Sequence, residues 1–341
     1  MTTISVVMPC HNRAYDLLKT LQAYDRQVGD EPFEMIAVDD GSSDETYQVL
    51  SAYRPQRYSL RVIRMETNRG PAAARNHGMA LADAPLILFV GDDILPDAYL
   101  LRGHLAEHRR HPQLGVAILG HVQWAPDLPV NTLMAHIDGP GTQQFSYHYF
   151  KDGAEYDFRH LYTANISLKR DFLNSVDKGF DTDFPYAAFE DVEFSYRLSK
   201  RGLKIIYSAK LVGYHYHYHN IWTFSTRQYR TGLMACLLVK KHPEIKTRIM
   251  GREWPYWQFR WRLAAPFWKT PMENAEHLEE ECLHKLSAYE WEPRLNLDKL
   301  YLPALKYFFY KGLIHGTFGD GPVGSKILDR YAKRMLVPLL S

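Results

Sequence analysis

Two pairs of adjacent carboxylates, Asp39-Asp40 and Asp92-Asp93, each follow a short apolar run, in VDDGSSD and LILFVGDD. A strand and a capped turn would account for Gly41, Ser42 and Ser43, but not for two neighbouring acids. A carboxylate at a strand end can accept from a base N–H or a ribose hydroxyl. It can also hold a hard divalent cation, the partner that a nucleoside diphosphate needs. Asp92 and Asp93 would supply one direct and one indirect contact to such a cation. A third acidic group, Phe189-Glu190-Asp191-Val192-Glu193, opens a segment with Phe189, Val192 and Tyr196 at helical spacing. Acids suit a helix start, and one of them can serve as general base towards a hydroxyl. In His215-Tyr216-His217-Tyr218-His219 the imidazoles alternate, so a strand would place all three on one face. A neutral imidazole is a metal ligand; the competing reading is a packed His–Tyr face. Arg75, in NRGPAAARNHG, can pair with a phosphate or with a structural carboxylate.

The elements that must position these groups alternate. Strands are expected at Ile4 to Met8 (ended by Pro9), Phe33 to Val38, Leu60 to Met65 and Leu86 to Val90. Helices are expected over Ala14 to Gln27, Glu45 to Tyr53 and Pro71 to Leu81. Such alternation implies βαβ units and a mostly parallel sheet. Ligands of open α/β sheets bind beyond the carboxyl ends of the strands, so both acidic pairs should share one sheet edge. From Gly115 to Tyr162 the pattern weakens, and residues 138 to 158 read as irregular. Further on, Thr163 to Leu168 reads as a strand, Phe189 to Lys200 as a helix stopped by Gly202, and Leu203 to Ile206 and Val212 to His219 as strands. Residues 223–341 read as helical. The division is therefore 1–222 and 223–341, with no internal repeat.

A formal net charge of +2 is too small for the basic patch that nucleic acid calls for. Cys10, Cys236 and Cys282 lie too far apart for a zinc motif or a disulfide framework. The apolar runs are far shorter than the ~20 residues of a spanning helix, and the amino terminus lacks a signal-peptide pattern. The expectation is a cytoplasmic protein, soluble or attached peripherally at the inner membrane face.

Taken together, SVVMPCHNR, VDDGSSDET, NRGPAAARNHGMA, ILFVGDDILPD, TANISLKRDFL and GFDTDFPYAAFEDVEFSYRL resemble, in order, the motifs of the family 2 glycosyltransferases. The resemblance spans roughly residues 3 to 219. It implies the GT-A fold, a mixed α/β sheet flanked by helices, here followed by a helical region. It implies a metal-dependent, inverting transferase that moves a sugar from a nucleotide-sugar donor to a carbohydrate or lipid-linked hydroxyl. UDP is the expected nucleotide and Mn²⁺ or Mg²⁺ the expected cation. Asp40 would contact the base and Asp39 would position its loop. Pro9 and the following His11, Asn12 and Arg13 would border base and ribose. Asp93 would bind the metal, with His215 as a further ligand and Asp92 beside it or the ribose. Arg75 would lie towards the phosphates. Asp191 would be the catalytic base, with Glu190 on the acceptor side.

The chain departs from the family pattern in two places. Gly91 stands where the first Asp of a DxD motif often lies, which puts metal binding in question. Ala188-Phe189 replaces the small Gly common before the acidic pair. A catalytically silent binding module and a nucleotidyltransferase are the alternatives. The latter would need a Gly-rich phosphate loop after the first strand, where this chain has Pro9-Cys10-His11-Asn12-Arg13. In the carboxyl-terminal region Trp254, Trp257, Trp261, Ala265 and Trp268 recur at helical spacing among Arg252, Arg260, Arg262 and Lys269. That stripe either lies on a membrane surface or, as preferred here, packs internally or across a homo-oligomer.

Overall fold

The computed structural model describes residues 2–139, 141, 143–252, 254–264, 275–292 and 298–340. Ala265, Trp268, Lys269 and the side chain of Trp257 lie outside the described residues. The chain divides into two compact units, 1–129 with 145–217, and 130–144 with 218–341.

The first unit begins with β1 (Ile4–Cys10), α1 (Ala14–Asp25), β2 (Phe33–Asp39), α2 (Thr46–Ala52), β3 (Ser59–Arg64), α3 (Pro71–Leu81) and β4 (Leu86–Val90). It continues through β5 (Ile94–Pro96), α4 (Leu100–Arg110) and β6 (Val116–Trp124). After α5 (Thr132–Asp138), which belongs to the second unit, come β7 (Glu155–Tyr156), β8 (Asn165–Lys169), α6 (Arg170–Leu173), α7 (Glu190–Ser199) and β9 (Lys204–His215). The sheet order is β3-β2-β1-β4-β8-β6-β9-β5, with β7 on β9. β1 to β4 are parallel, and β8 runs antiparallel to β4. This is the mixed α/β sheet flanked by helices.

Successive strand residues feed opposite faces. Ile4, Val6 and Met8 pack with Leu17, Leu21 and Tyr24 of α1, while Val7, Ile36 and Phe89 pack with Ala72, Ala73 and Ala74 of α3. Both faces are covered, so β1, β2 and β4 are apolar nearly throughout, as buried parallel strands must be. Pro9 does not end β1: the strand runs on to Cys10, with Pro9 opposite Val38. The β4 ladder stops at Val7–Phe89, so the missing Pro9 N–H removes no bond on that side.

Three elements escape the apolar pattern. α4 buries Leu100, Leu101, His104 and His108, a half-polar face. Its imidazoles are satisfied internally: His104 Nε2 lies 2.9 Å from Asn165 Oδ1, and His104 Nδ1 and His108 Nε2 lie 2.8 and 2.9 Å from Ser167 Oγ. Burial lowers His104 to about 4 and His108 to about 3, so both are neutral. β6 fills part of the weakly patterned stretch. β9 is one strand where two were expected, and its register against β6 shifts between Gly120 and His121. Asn165 Nδ2 donates to His121 O (3.1 Å) and Leu211 O (2.9 Å) at that irregularity. Beyond it β9 runs to His215.

The second unit contains α5, α8 (Ile221–Lys241), α9 (Lys246–Met250), α10 (Trp254–Ala264), α11 (Ala275–Ser287), α12 (Asp298–Phe318), α13 (Pro322–Met335) and α14 (Val337–Leu340). Its boundaries differ from the expected 222/223 division. Asn131 caps α5 and donates to His219 O at 2.8 Å, while Thr132 Oγ1 donates to Tyr289 O and Glu290 O at 3.0 Å each. These bonds tie 130–144 to the helices. No helix among the described residues is long and apolar enough to cross a membrane. Trp254 is buried, edge-on to Trp261, and Trp261 meets Tyr331.

α8 and α12 cross at Gly232 and Gly312. A Cβ on Gly312 would fall 2.1 Å from Tyr229 O, and one on Gly232 2.0 Å from Phe309 O. Ala in an open helix position would stabilise by roughly 1 kcal/mol relative to Gly. At Gly312 the sign reverses: Gly312→Ala forces the helices apart and lowers the melting temperature, at a cost of about 1–3 kcal/mol. A calorimetric melt of the variant at or above wild type would contradict this crossing.

Candidate active site

The carboxyl ends of β1, β2, β4 and β9 supply the polar groups. After β1 the chain turns through His11, Asn12 and Arg13. His11 N–H donates to Asp92 Oδ2 at 3.2 Å, and His11 Nδ1 lies 3.0 Å from Asp40 O. A carbonyl only accepts, so Nδ1 carries the proton and Nε2 accepts, with Asn68 Nδ2 at 3.0 Å. Asn12, with φ +50°, receives the N–H of Ser43 at 2.9 Å and donates its own to Ser42 Oγ at 3.0 Å. Left-handed backbone is tolerated by Asn. This loop therefore ties the β2 acidic turn to the β4 acidic turn.

In the first turn Asp39 is fully buried. Its Oδ1 accepts from Ser42 N at 3.1 Å and its Oδ2 lies 3.5 Å from Arg64 Nε. It shapes the turn. Asp40 Oδ1 accepts from Arg69 N at 2.8 Å, and burial raises its carboxyl.

In the second turn Asp93 is the electrostatic centre. Its Oδ2 lies 3.0 Å from Arg13 Nη2, 3.1 Å from His217 Nδ1 and 3.4 Å from His215 Nε2. Burial works to raise this carboxyl, but His215, His217 and Arg13 override it and hold it well below the usual range. Asp92 behaves oppositely: burial, and then the charge of Asp93, push it up to about 7. One member of the pair thus keeps the charge. Trp124 stacks on His215 at 5.1 Å and 11°, and Tyr216 N donates to Asp93 O at 2.7 Å.

Asp93, His215 and His217 each offer a ligand atom within 4.8 Å of the others. His217 Nδ1 also lies 3.0 Å from Arg13 Nη1, a donor, while Asp93 Oδ2 is an acceptor. One ring nitrogen answers only one of them in a given tautomer. A cation shared by Nδ1 and Oδ2 resolves that conflict, because both atoms then act as ligands. The donor set fits a divalent cation, and two imidazoles beside one carboxylate suit a first-row transition ion better than Mg²⁺. His217 was not singled out as a ligand from sequence, although the His alternation contained it. His219 does not join the group. β9 ends at His215, and His219 lies in the second unit, edge-on to Phe224.

The third acidic group lies at the start of α7. Arg75 Nη1 donates to Glu190 Oε1 at 2.7 Å, both side chains being nearly inaccessible. Removing one partner of such a pair costs about 3–5 kcal/mol. Asp191 occupies the first turn, accepting from Val192 N at 2.8 Å. Burial, then Glu190, push its carboxyl up to about 7. The 68–70 loop links this group to the Asp39-Asp40 turn: Arg69 N is on Asp40, and a Cβ on Gly70 would meet Pro185 O at 3.0 Å. Pro9, His11, Asn12, Arg13, Asp39, Asp40, Asp92, Asp93 and His215 are thus gathered at one sheet edge. Arg75 and Glu190 pair with each other beside Asp191.

A model of glycosyl transferase family 2 matches residues 5–187. Validoxylamine A glucosyltransferase of Streptomyces hygroscopicus is 28% identical over 268 residues, covering 71% of this chain and 61% of that protein. The chain therefore spans less than two thirds of that relative's length. Among solved structures, Staphylococcus aureus TarS 1–349 in complex with UDP-GlcNAc superposes with a TM-score of 0.55 at 15% identity, over 97% of this chain and 90% of that one. Mannosyltransferase PcManGT from Pyrobaculum calidifontis, in complex with GDP-Man and Mn²⁺, gives 0.58 at 15%, over 93% and 88%. At these identities the two structures establish a shared GT-A architecture.

Phe189, which precedes the acidic pair, has φ +66° and ψ −5°. This left-handed conformation costs a non-glycine residue about 1–2 kcal/mol, at the position where a Gly is common in the resembled motif. Comparing Phe189→Gly with Phe189→Ala cancels the lost ring and isolates the backbone. The Gly variant is expected to be more stable by about 1 kcal/mol in urea unfolding; equal stability, or a more stable Ala variant, would refute the strained turn.

Proposed function

Because the chain belongs to glycosyl transferase family 2, we propose that it transfers a sugar from a nucleoside-diphosphate-sugar donor to a hydroxyl acceptor, with inversion at the anomeric carbon. The observation that carries this reading is the meeting of Asp93, His215 and His217 on the sheet edge that also bears the Asp39-Asp40 turn. Asp40 and the His11–Arg13 loop receive base and ribose, with Asp39 fixing the turn and Pro9 bordering it. Asp93, His215 and His217 would hold the cation, Mn²⁺ in preference to Mg²⁺, and its charge would offset that of the leaving diphosphate. Arg13 adds a fixed positive charge beside the same carboxylate. UDP is the first nucleotide to assay and GDP the second, since the structural neighbours were solved with UDP-GlcNAc and GDP-Man. The acceptor is a glycan or lipid-linked hydroxyl, and the working compartment is the cytoplasm.

Asp191 is the base. It removes the proton of the acceptor hydroxyl as that oxygen attacks the anomeric carbon and the bond to the diphosphate breaks. Arg75 and Glu190 are positioning residues: their buried pair fixes the turn that presents Asp191.

Calorimetry with UDP and Mn²⁺ is expected to show that Asp93→Ala removes metal-dependent nucleotide binding; unchanged binding would reject the metal assignment. For Asp191→Asn, nucleotide binding persists while transfer falls by roughly 10²–10⁴-fold. A base must be ionised to act, and Asp191 is raised to about 7. Wild-type turnover should therefore climb with pH through about 7, with that limb absent from the residual activity of the Asn variant. Equal loss of affinity and turnover would indicate a structural role for Asp191 instead.

A further inference from the structure

β9 reaches the site only after a break in its pairing. Gly120 of β6 lies opposite Ser208, and the next residue, His121, lies opposite Val212. Ala209, Lys210 and Leu211 therefore have no residue opposite them on β6. Side chains alternate along a strand, so a shift by an odd number of residues inverts the face of everything beyond it. Without this shift Val212, not His215, would stand opposite Trp124, and His215 would turn to the other face of the sheet.

One amide bridges the break. Asn165 Nδ2 donates to His121 O on β6 at 3.1 Å and to Leu211 O on β9 at 2.9 Å. Gly120 makes room for it, since a Cβ there would fall 2.2 Å from Nδ2. Both carbonyls only accept, so the amide orientation is fixed and Oδ1 faces His104 Nε2 at 2.9 Å. His104 Nε2 must then carry the proton, and Nδ1 of the neutral ring accepts from Ser167 Oγ at 2.8 Å. A hydroxyl has one proton, so His108 Nε2, 2.9 Å from the same oxygen, donates to it. His108 Nδ1 in turn accepts from Lys169 Nζ at 3.2 Å. Every bond from the ammonium to the two carbonyls thus points the same way.

We propose that Asn165 is a positioning residue for the Asp93–His215 contact, held in its bridging orientation by the one-way hydrogen-bond chain Lys169–His108–Ser167–His104. Its bearing on transfer rests on the reading of Asp93, His215 and His217 as a cation site. The two N–H groups of the amide are what the break requires. In Asn165→Asp the side chain keeps its shape but sets an oxygen against each carbonyl. His104 acts one bond further out: without its Nε2–H, nothing prevents the Asn165 amide from turning over and exchanging a donor for an acceptor at the break.

Two-bond proton–nitrogen spectra of histidine-labelled, metal-free full chain test the direction. They should place the ring proton of both His104 and His108 on Nε2; a proton on His104 Nδ1 overturns the chain. In the same spectra Asn165→Asp and His104→Leu should displace the His215 ring resonances. Both variants should also weaken Mn²⁺ binding in the presence of UDP by about 10–100-fold, the range for groups that orient a metal ligand. His104→Gln, whose amide can still donate to Asn165, should stay near wild type in both readouts. A network that only stabilises the core would lower the melting temperature of these variants and leave the His215 resonances and the Mn²⁺ affinity of the folded protein unchanged, which overturns the proposal. If Asn165→Asp does not fold, the contrast between His104→Leu and His104→Gln decides alone. Displaced His215 resonances in a protein whose wild type holds no Mn²⁺ would uphold the positioning role and reject the cation reading instead.

Discussion

The site depends on a single carboxylate that must stay ionised where burial opposes it. Asp93 is 13% exposed at its side chain and adjoins a second acid, conditions that favour neutral carboxyls. Its charge persists because Arg13 from the β1 loop and His215 and His217 from the end of β9 lie within 3.0 to 3.4 Å of one oxygen. Asp92 yields the charge and turns instead to the His11 N–H and the Arg13 side chain. An ionised carboxylate with two imidazoles beside it is a candidate ligand set for a small cation once the imidazoles offer lone pairs instead of protons.

The remainder of the first unit can be understood as the means of delivering those groups. Parallel β1, β2 and β4 bring their carboxyl ends to one edge, so turns far apart in sequence become neighbours. β9 arrives from the other side of the sheet and must end at the correct residue. Its register shift at Gly120 and His121 would leave two carbonyls poorly paired, and Asn165 satisfies both. His104, itself bonded to Ser167 Oγ, holds Asn165 in turn. A neutral, buried polar network in α4 and β8 thereby fixes the approach of His215 to Asp93.

Much of this was legible in the sequence because the parallel strands are short apolar runs that stop at Gly and Asp. β4 and α3 fall where the pattern places them, and the acidic pairs lie on the expected edge. α4 was not legible: its inward face carries His104 and His108, which break the apolar period, and only tertiary partners make them suitable core residues. β9 read as two strands because Ser208, Ala209 and Lys210 interrupt its run of large apolar residues. The three-histidine alternation suggested one shared face, but β9 ends after the first of them, so only His215 and His217 reach Asp93. Tyr256, Phe259 and Leu263, exposed on α10, were hidden by the more conspicuous Trp254 and Trp261, which pack against Tyr310 and Tyr331.

The most direct test of the Asp93 centre is pulsed electron paramagnetic resonance on Mn²⁺ bound to the full chain with UDP. Imidazole ligands impose nitrogen modulation on the Mn²⁺ signal, whereas carboxylate, phosphate and water ligands do not. The account predicts nitrogen coupling that is lost when His215 and His217 are both replaced by Ala. Mn²⁺ held tightly with UDP but showing no nitrogen coupling in the wild type would contradict it.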